Sequence, residues 1–600
     1  MAKKTKFYIT TAIDYVNSKP HVGHAFEKVL ADAIARWNRL NGKDVFFLTG
    51  VDENAQKNVE AAQKAGIPVK EFIDKNTGFF IELCKKLNLS HDDFIRTTAK
   101  EHAIVVQKIV KKMLDNGDIY KGEYSGLYCI GCEAYYSEKD LIDGKCPEHK
   151  KEPELRKEEA YFFKLSKYKT NLLKTIPEYV IPESRRNEVI ARVKEELTDI
   201  CISRKGAKWG IDFPDDQNFK LWVWIDALIN YISGLKAKEK KYWPANVHVI
   251  GKGINWFHSV IWPAVLLSAG YKLPDKLLVH GYLNLGGEKM SKSLGNIIDP
   301  LILLEKYPID TVRYSLLRCS VFEDSDYSEE ILISRNNSEL ADNLGNLVSR
   351  VSTLAEKYGI EKTENKLLKK LKLKEIEKYM QNYELDKALN EIFAFIDVCN
   401  EYVQSNKPWE THDKKVLYEL VDSIKSIAIL LSPFMPETSE KISKLLGFDI
   451  KLENIEKQLS YGKIKKAEIL FKKIEVKKKE LINAASITDL AKFEDFKKID
   501  LRIGTIEKVE DIEGADKLLR LEVNTGEKRT ICAGIKKHYS KEELKGKQII
   551  VICNLEPRVV RGITSEGMLL AASDESHEKV ILLTSKIKSS PGTKIEFKNG

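Results

Sequence analysis

The sequence predicts a multidomain α/β chain. A doubly wound parallel sheet is split by an inserted module and followed by an all-helical domain and a small terminal β-barrel. Three observations predict it. Strand and helix patterns alternate from residue 5 to about 115 and again from about 186 to 290, as in βαβ units. Between these stretches the texture changes to Gly, Cys, Tyr and charge. From about 335 to 475 the apolar residues keep helical spacing, and beyond about 490 short strand patterns take over.

Each element has its own signal. Phe7-Tyr8-Ile9-Thr10-Thr11 is a β-prone run, and Phe26, Val29, Leu30, Ala33, Ile34, Trp37 and Leu40 then recur at threes and fours as one helix face. Residues 45–48 read as a buried strand and 55–64 as a helix. After the insertion, Val247–Gly251 and residues 277–281 restore the strands. Sheets of this kind bind ligands at the carboxyl ends of strands, where His21, Asp52, Gly251 and His280 are expected to converge. In the helical stretch, Leu385, Leu389, Ile392, Ile396, Cys399 and Val403 step by four and three along one long helix. Residues 472–480 are either a basic helix end or a linker. Residues 501–506, 518–523 and 548–552 belong to about five short strands, which suggests a barrel of the OB type. The expected division is 1–117, 118–185, 186–334, 335–475, a linker over 476–489, and 490–600.

Composition bounds the function. The hydrophobic content of 43% supplies globular cores, and no apolar run is long enough to span a membrane. The basic start leads straight into a strand rather than an apolar signal segment. Nine cysteines, an odd number mostly scattered singly, argue for reduced thiols in a cytoplasm. A net charge of +9 permits nucleic-acid binding without proving it.

Two motifs carry chemistry. His21-Val22-Gly23-His24 lies where a strand gives way to a helix, so free backbone N–H groups and the helix dipole favour an anion there. Gly23 would let a nucleotide approach the backbone. Lys289-Met290-Ser291-Lys292-Ser293 follows a Gly286-Gly287 turn and suggests a cationic loop that neutralises a polyphosphate. Alone, each has a bland reading, a chance match or a solvated loop; in this order they point to an ATP site. A third cluster, Cys129-Ile130-Gly131-Cys132 followed by Cys146-Pro147-Glu148-His149, has zinc-knuckle spacing. Four ligands, Cys129, Cys132, Cys146 and His149, leave no open position, so one structural zinc is expected.

The motif pair resembles the HIGH and KMSKS motifs of class I aminoacyl-tRNA synthetases. Residues 10–17, Phe47-Leu48-Thr49-Gly50-Val51-Asp52-Glu53, Trp222-Val223-Trp224-Ile225-Asp226-Ala227-Leu228 and Phe257-His258 followed by Trp262-Pro263-Ala264 resemble the methionyl-tRNA synthetases. The resemblance runs from about residue 5 to the C-terminus. It implies attack of a methionine carboxylate on ATP, with Mg2+ accompanying the nucleotide, and transfer of methionine to a tRNA with a CAU anticodon. It implies His21, His24, Lys289 and Lys292 as catalytic, with Gly23, Glu27, Gly251 and Lys292 at the ATP. Ile13, Tyr15, Trp224, Ala227, Tyr231 and His258 match the methionine pocket, Asp52 the ammonium site, and Arg204 the ion partner of Asp52. Asn346, Arg350 and Trp409 match the anticodon readers; from spacing alone Asn346 and Arg350 are equally a capping Asn and a surface Arg. Asn554, Arg561, Ser565 and Met568 fall in a segment like a tRNA-binding OB domain, which in bacterial forms often makes a homodimer.

Three positions depart from the family pattern. Asn54-Ala55 stands for His-Gly, Gly253 for an aspartate thought to reach the ribose, and Ala12 and Asp14 for a proline and a tyrosine. Two other readings remain: a tRNA-binding protein with an inactive catalytic half, and a synthetase for leucine or valine. The insertion is too short for the editing domain usual in the latter.

Overall fold

The computed structural model describes residues 4–130, 134–136, 141–148, 150–290, 297–460, 464–475, 497–573, 580–585 and 587–595. The chain divides into two compact units, Met1–Glu475 and Val476–Gly600.

The first unit is built on a six-stranded, all-parallel sheet. Its strands are β1 (Lys6–Tyr15), β2 (Asp44–Asp52), β3 (Asp93–Arg96), β4 (Val180–Ile181), β5 (Val247–Gly251) and β6 (Lys276–His280), in the order β3-β2-β1-β5-β6-β4. The order reverses between β1 and β5, the topological switch point at which such sheets leave a crevice. Helix α1 (Val22–Leu40) crosses from β1 to β2, and its apolar face enters the main core with Ile9, Phe47, Val247 and Val249. Central strands buried on both faces explain the continuous apolar runs read in the sequence.

The insertion forms a four-stranded antiparallel sheet from Ile119–Cys129, Ala134–Tyr136, Glu154–Phe163 and Ile200–Cys201. Here the structure differs from the expected boundaries. Ile200–Cys201 joins the insertion from beyond residue 185, while β4, inside the expected insertion, is the edge strand of the central sheet. Two-residue strands carry no periodicity, so only their partners reveal them.

In the helical region, Leu385–Asn406 buries Leu385, Leu389, Ile392, Ile396, Cys399 and Val403, the six residues whose spacing predicts it. Fully buried Arg313 donates to the carbonyls of Leu87, Pro433 and Phe434 and pairs with Asp32 of α1 at 2.8 Å, tying the helical segment to the helices that flank the sheet.

The second unit carries a five-stranded antiparallel sheet. Its strands are β7 (Leu501–Asp511), β8 (Leu519–Asn524), β9 (Lys528–Ala533), β10 (Gln548–Ile552) and β11 (Met568–Leu569), in the order β9-β8-β7-β10-β11. The two ends curl together: Glu566 N–H donates to Thr530 O at 2.8 Å, and Cys532 N–H to Ser565 Oγ at 3.1 Å. Among the described residues no helix is long and apolar enough to cross a membrane.

Candidate active site

Two histidines cap α1. His21 is the N-cap, and its Nδ1 accepts Gly23 N–H at 3.0 Å; His24 Nδ1 accepts His21 N–H at 3.0 Å. Imidazoles thus replace the hydroxyl and carboxylate of an ordinary capping box. A ring nitrogen that accepts carries no proton, so these bonds place the hydrogen of each neutral ring on Nε2, as a donor. The rings stack at 3.8 Å. A Cβ at position 23 would lie 2.8 Å from His21 Cε1, so Gly23 makes room for the cap itself, beyond any approach by a nucleotide.

Both histidines line a cavity of about 350 Å³ at the carboxyl ends of β1, β2 and β5. Ile13, Tyr15, Glu27, Asp52, Trp224, Ala227, Tyr231, Gly251 and His258 line it too, so most of the expected site residues come together. Asp14, Asn17 and Leu228, which lie in stretches that carry the resemblance, also line it. Ser18, Lys57, Ile254 and Tyr282 line it too, and no local pattern marks these four, because the sheet assembles them from segments distant in sequence.

One wall is apolar and uncharged. Trp224 stacks on Phe257 at 3.7 Å and stands edge-on to His258 and Tyr15. Tyr231 Oη lies 2.7 Å from His258 Nε2, and His258 Nδ1 lies 3.0 Å from the Ile254 carbonyl. The carbonyl only accepts, so Nδ1 donates to it and Nε2 accepts the phenol proton of Tyr231. Burial pushes the His258 pKa down to about 4, so the ring is neutral at physiological pH. Trp224 Nε1 is buried without a hydrogen-bond partner among the described residues, an unmet donor on a cavity-lining residue.

The other wall is polar. Asp52 ends β2, and its Oδ1 accepts Asn54 N–H at 3.1 Å. Asn54 Nδ2 in turn donates to Asp226 Oδ2 at 2.7 Å, and Asp226 Oδ1 meets His102 Nε2 at 2.6 Å. Asn54 therefore links the Asp52 turn to the helix Val223–Ser233 that carries Trp224. Glu27 accepts Ala12 N–H at 3.0 Å and meets His280 Nε2 at 3.1 Å, so His280 reaches the site through Glu27. Asp14 accepts from the fully buried Lys28 at 2.5 Å and lies 3.7 Å from His24 Nε2. Burial acts most strongly and lowers the Lys28 ammonium, but the Asp14 carboxylate, with Cys84 and Glu27 adding to it, raises its pKa overall.

Arg204 stands outside the lining. Its Nη1 donates to Ser203 O at 2.8 Å and its guanidinium lies over the Tyr128 ring at 4.8 Å. Lys289 closes the short strand Glu288–Lys289 after the expected Gly286-Gly287 turn, whose φ values are 61° and 79°. Lys292 lies outside the described residues, as do Cys132 and His149. Of the expected zinc ligands, Cys129 ends a strand and Cys146 begins a tight turn closed by Lys150 N–H to Cys146 O at 2.8 Å; both are buried. Ile119 and Phe163 at one end of this sheet pack into a larger core, Ala160, Phe162 and Cys201 form a small cluster of their own, and the two buried thiols fit a structural tetrahedral metal.

Asn346 and Arg350 share the helix Asn346–Tyr358 and line a groove of about 430 Å³ with Asn400 and Gln404. Asn346 Nδ2 also donates to Asp342 O at 3.0 Å, and Trp409 lies outside the groove lining. In the second unit, Asn554 and Ser565 serve the fold. Asn554 Oδ1 accepts Asp500 N–H at 2.7 Å and its amide donates to Lys498 O, while Ser565 Oγ takes part in the curl described above. Arg561, at φ 51°, and Met568 are exposed.

A family profile described as tRNA synthetases class I (M) matches residues 7–152 and 137–352. An anticodon-binding domain of tRNA ligase matches 365–524, and a putative tRNA-binding domain matches 501–594. The last two overlap, and strand pairing places β7 and β8 in the second unit. The methionine–tRNA ligase of Caldanaerobacter subterraneus is 43% identical over 99% of this chain and 100% of its own length. That of Thermotoga maritima is 42% identical over 98% of this chain and 100% of its own. The Mycobacterium tuberculosis methionyl-tRNA synthetase in complex with methionyl-adenylate superposes with a TM-score of 0.75 at 36% identity, over 78% of this chain and 99% of that one.

Proposed function

This chain belongs to the class I methionyl-tRNA synthetases, and from that premise we infer how its cavity performs the reaction of a methionine–tRNA ligase. A methionine carboxylate oxygen attacks the α-phosphorus of ATP; the new O–P bond forms as the bond to pyrophosphate breaks. The terminal hydroxyl of the tRNA then attacks the methionyl carbonyl, and AMP leaves.

The observation that carries this reading is one cavity with two unlike walls. The thioether meets Trp224, Ala227, Tyr231 and His258, whose polar atoms, apart from the Trp224 indole N–H, are satisfied among themselves or by backbone. Asp52 takes the substrate ammonium. The phosphates meet the N-terminus of α1, where the Nε2–H groups of His21 and His24 donate to oxygens that gain charge in the transition state. Lys289 and Lys292 neutralise the leaving pyrophosphate, and Mg2+ arrives with the ATP. Little acid–base chemistry is required; alignment and charge neutralisation supply the rate.

Cys129, Cys132, Cys146 and His149 would hold one structural zinc. Asn346 and Arg350, with Trp409 of the short helix Pro408–Thr411, read a CAU anticodon. The second unit adds RNA affinity and a homodimer contact, and the enzyme works in the cytoplasm. The test is methionine-dependent ATP–pyrophosphate exchange. Exchange with methionine should exceed that with leucine, isoleucine or valine, and a preference for any of those three would sink the reading.

A further inference from the structure

Position 253 follows β5 and lines the cavity, yet it carries no side chain. Its backbone does not demand glycine, since Gly253 is absent from the residues of positive φ. Space does demand it. A Cβ built there falls 2.0 Å from Tyr282 Oη, far inside any real contact. The phenol of Tyr282 therefore occupies the place where a side chain at 253 would begin, and Gly253 N–H donates to its oxygen.

Tyr282 is held there from several directions. Its N–H donates to Asp324 Oδ1 at 2.9 Å, and the same carboxylate accepts from Lys252 Nζ at 2.6 Å. That ammonium lies over the Tyr282 ring at 4.7 Å. Burial pushes the phenol pKa up to about 12, so the group keeps its proton at physiological pH. Its surroundings select a ligand. Glu27, held by His280, lines the same cavity, and a Cβ at Gly251 would touch both the His280 and the Tyr282 rings. A carboxylate and a neutral phenol lining one cavity, with the Lys252 ammonium already paired to Asp324, suit hydroxyl groups better than phosphate. The phosphates have the capped end of α1, and the thioether has the apolar wall.

We propose that Tyr282 Oη binds a ribose hydroxyl of the ATP, and that position 253 is glycine so that this phenol can reach it. The inference rests on the ligase reading above and adds a nucleotide-binding residue to it. Tyr282→Phe, Gly253→Ala and the double variant are compared in methionine-dependent exchange with ATP, 2′-deoxyATP and 3′-deoxyATP. Tyr282→Phe should raise the KM for ATP roughly five- to tenfold. It should leave the KM for methionine unchanged and shrink the discrimination between ATP and one of the two deoxy analogues. Gly253→Ala should do the same by displacing the phenol, and the double variant should be no worse than either, because both remove one contact. A Tyr282→Phe enzyme with the wild-type KM for ATP overturns the inference, as does one that raises ATP and both analogues by a common factor. So does a Gly253→Ala enzyme that binds ATP normally. Wild-type protein inactive with methionine would instead overturn the ligase reading and carry the inference down with it.

Discussion

The two walls of the cavity solve opposite problems. The methionine wall keeps almost every polar atom occupied within the protein: Tyr231 serves His258, His258 serves the Ile254 carbonyl, and Tyr8 Oη donates to the Tyr231 carbonyl at 2.7 Å. Among the described residues nothing charged belongs to this wall, and in the proposed reading selectivity for the thioether rests on shape and polarizable contact. The phosphate wall turns its donors outward. There the histidines use Nδ1 to cap the helix, which leaves Nε2 as the donor. The same residue type is thus an internal strut on one side and an outward donor on the other. What differs is which ring nitrogen the backbone has engaged.

The comparison breaks first at the phosphate wall. Lys292→Ala and His24→Ala should each lower turnover in exchange by roughly a hundredfold or more, with the KM for methionine unchanged, because each removes charge or a donor needed in the transition state. An unchanged activation rate for Lys292→Ala would remove that loop from the mechanism. On the methionine wall, Tyr231→Phe leaves His258 Nε2 without its donor. A buried acceptor left unmet costs about 1–3 kcal/mol. The KM for methionine should therefore rise about tenfold while that for ATP holds, and equal effects on both would merge the two walls into one.

Protonation sharpens the contrast. Burial pushes the folded His258 pKa down to about 4, against about 6.5 for an ordinary histidine, and burial holds His248 well below the ordinary value too, His258 adding to the effect. Between those values the unfolded chain binds more protons, so stability must fall as the pH drops from about 6.5 toward 4. The slope approaches about 1.4 kcal/mol per pH unit for each such histidine. Thermal melts across that range should show the fall, and a smaller one in His258→Asn. The mildest effect should come from outside both walls. Ending the chain after Glu475 should leave methionine activation intact, raise the KM for tRNA a few fold and flatten its salt dependence, since fewer phosphate contacts release fewer counterions. Loss of activation in that truncation would mean that the second unit serves the catalytic one.

Zinc offers a separate check on the insertion. Cys146→Ser should lower the zinc content of the purified protein and make residues 118–185 more sensitive to protease, because metal affinity there is folding energy. Wild-type protein without zinc by elemental analysis would count against the four-ligand set.

Much of the site was legible before the fold. The two motifs, the apolar faces of α1 and Leu385–Asn406, and the pocket positions Trp224, Tyr231 and His258 all announce themselves in short stretches of chain. That the Arg204 guanidinium lies over Tyr128 is not legible, because a three-residue strand gives no hint of where its side chain will point. The bond by which Asn554 braces the residue before β7 also has no local signal.

The sequence by itself determined the order of strands and helices, the placing of two phosphate motifs and four metal-type ligands, and the resemblance that named the reaction. Those signals are local: periodicity and motif spacing act over a few residues. Only the tertiary structure decided which nitrogen of each histidine donates, that Glu27 meets His280, that Lys28 neutralises Asp14, and that Tyr282 claims the space above Gly253. These facts depend on the tight cap at the start of α1, on the register of parallel strands and on the packing of side chains between them. Partners up to 253 residues apart, as Glu27 and His280 are, meet only when the whole sheet has closed around them.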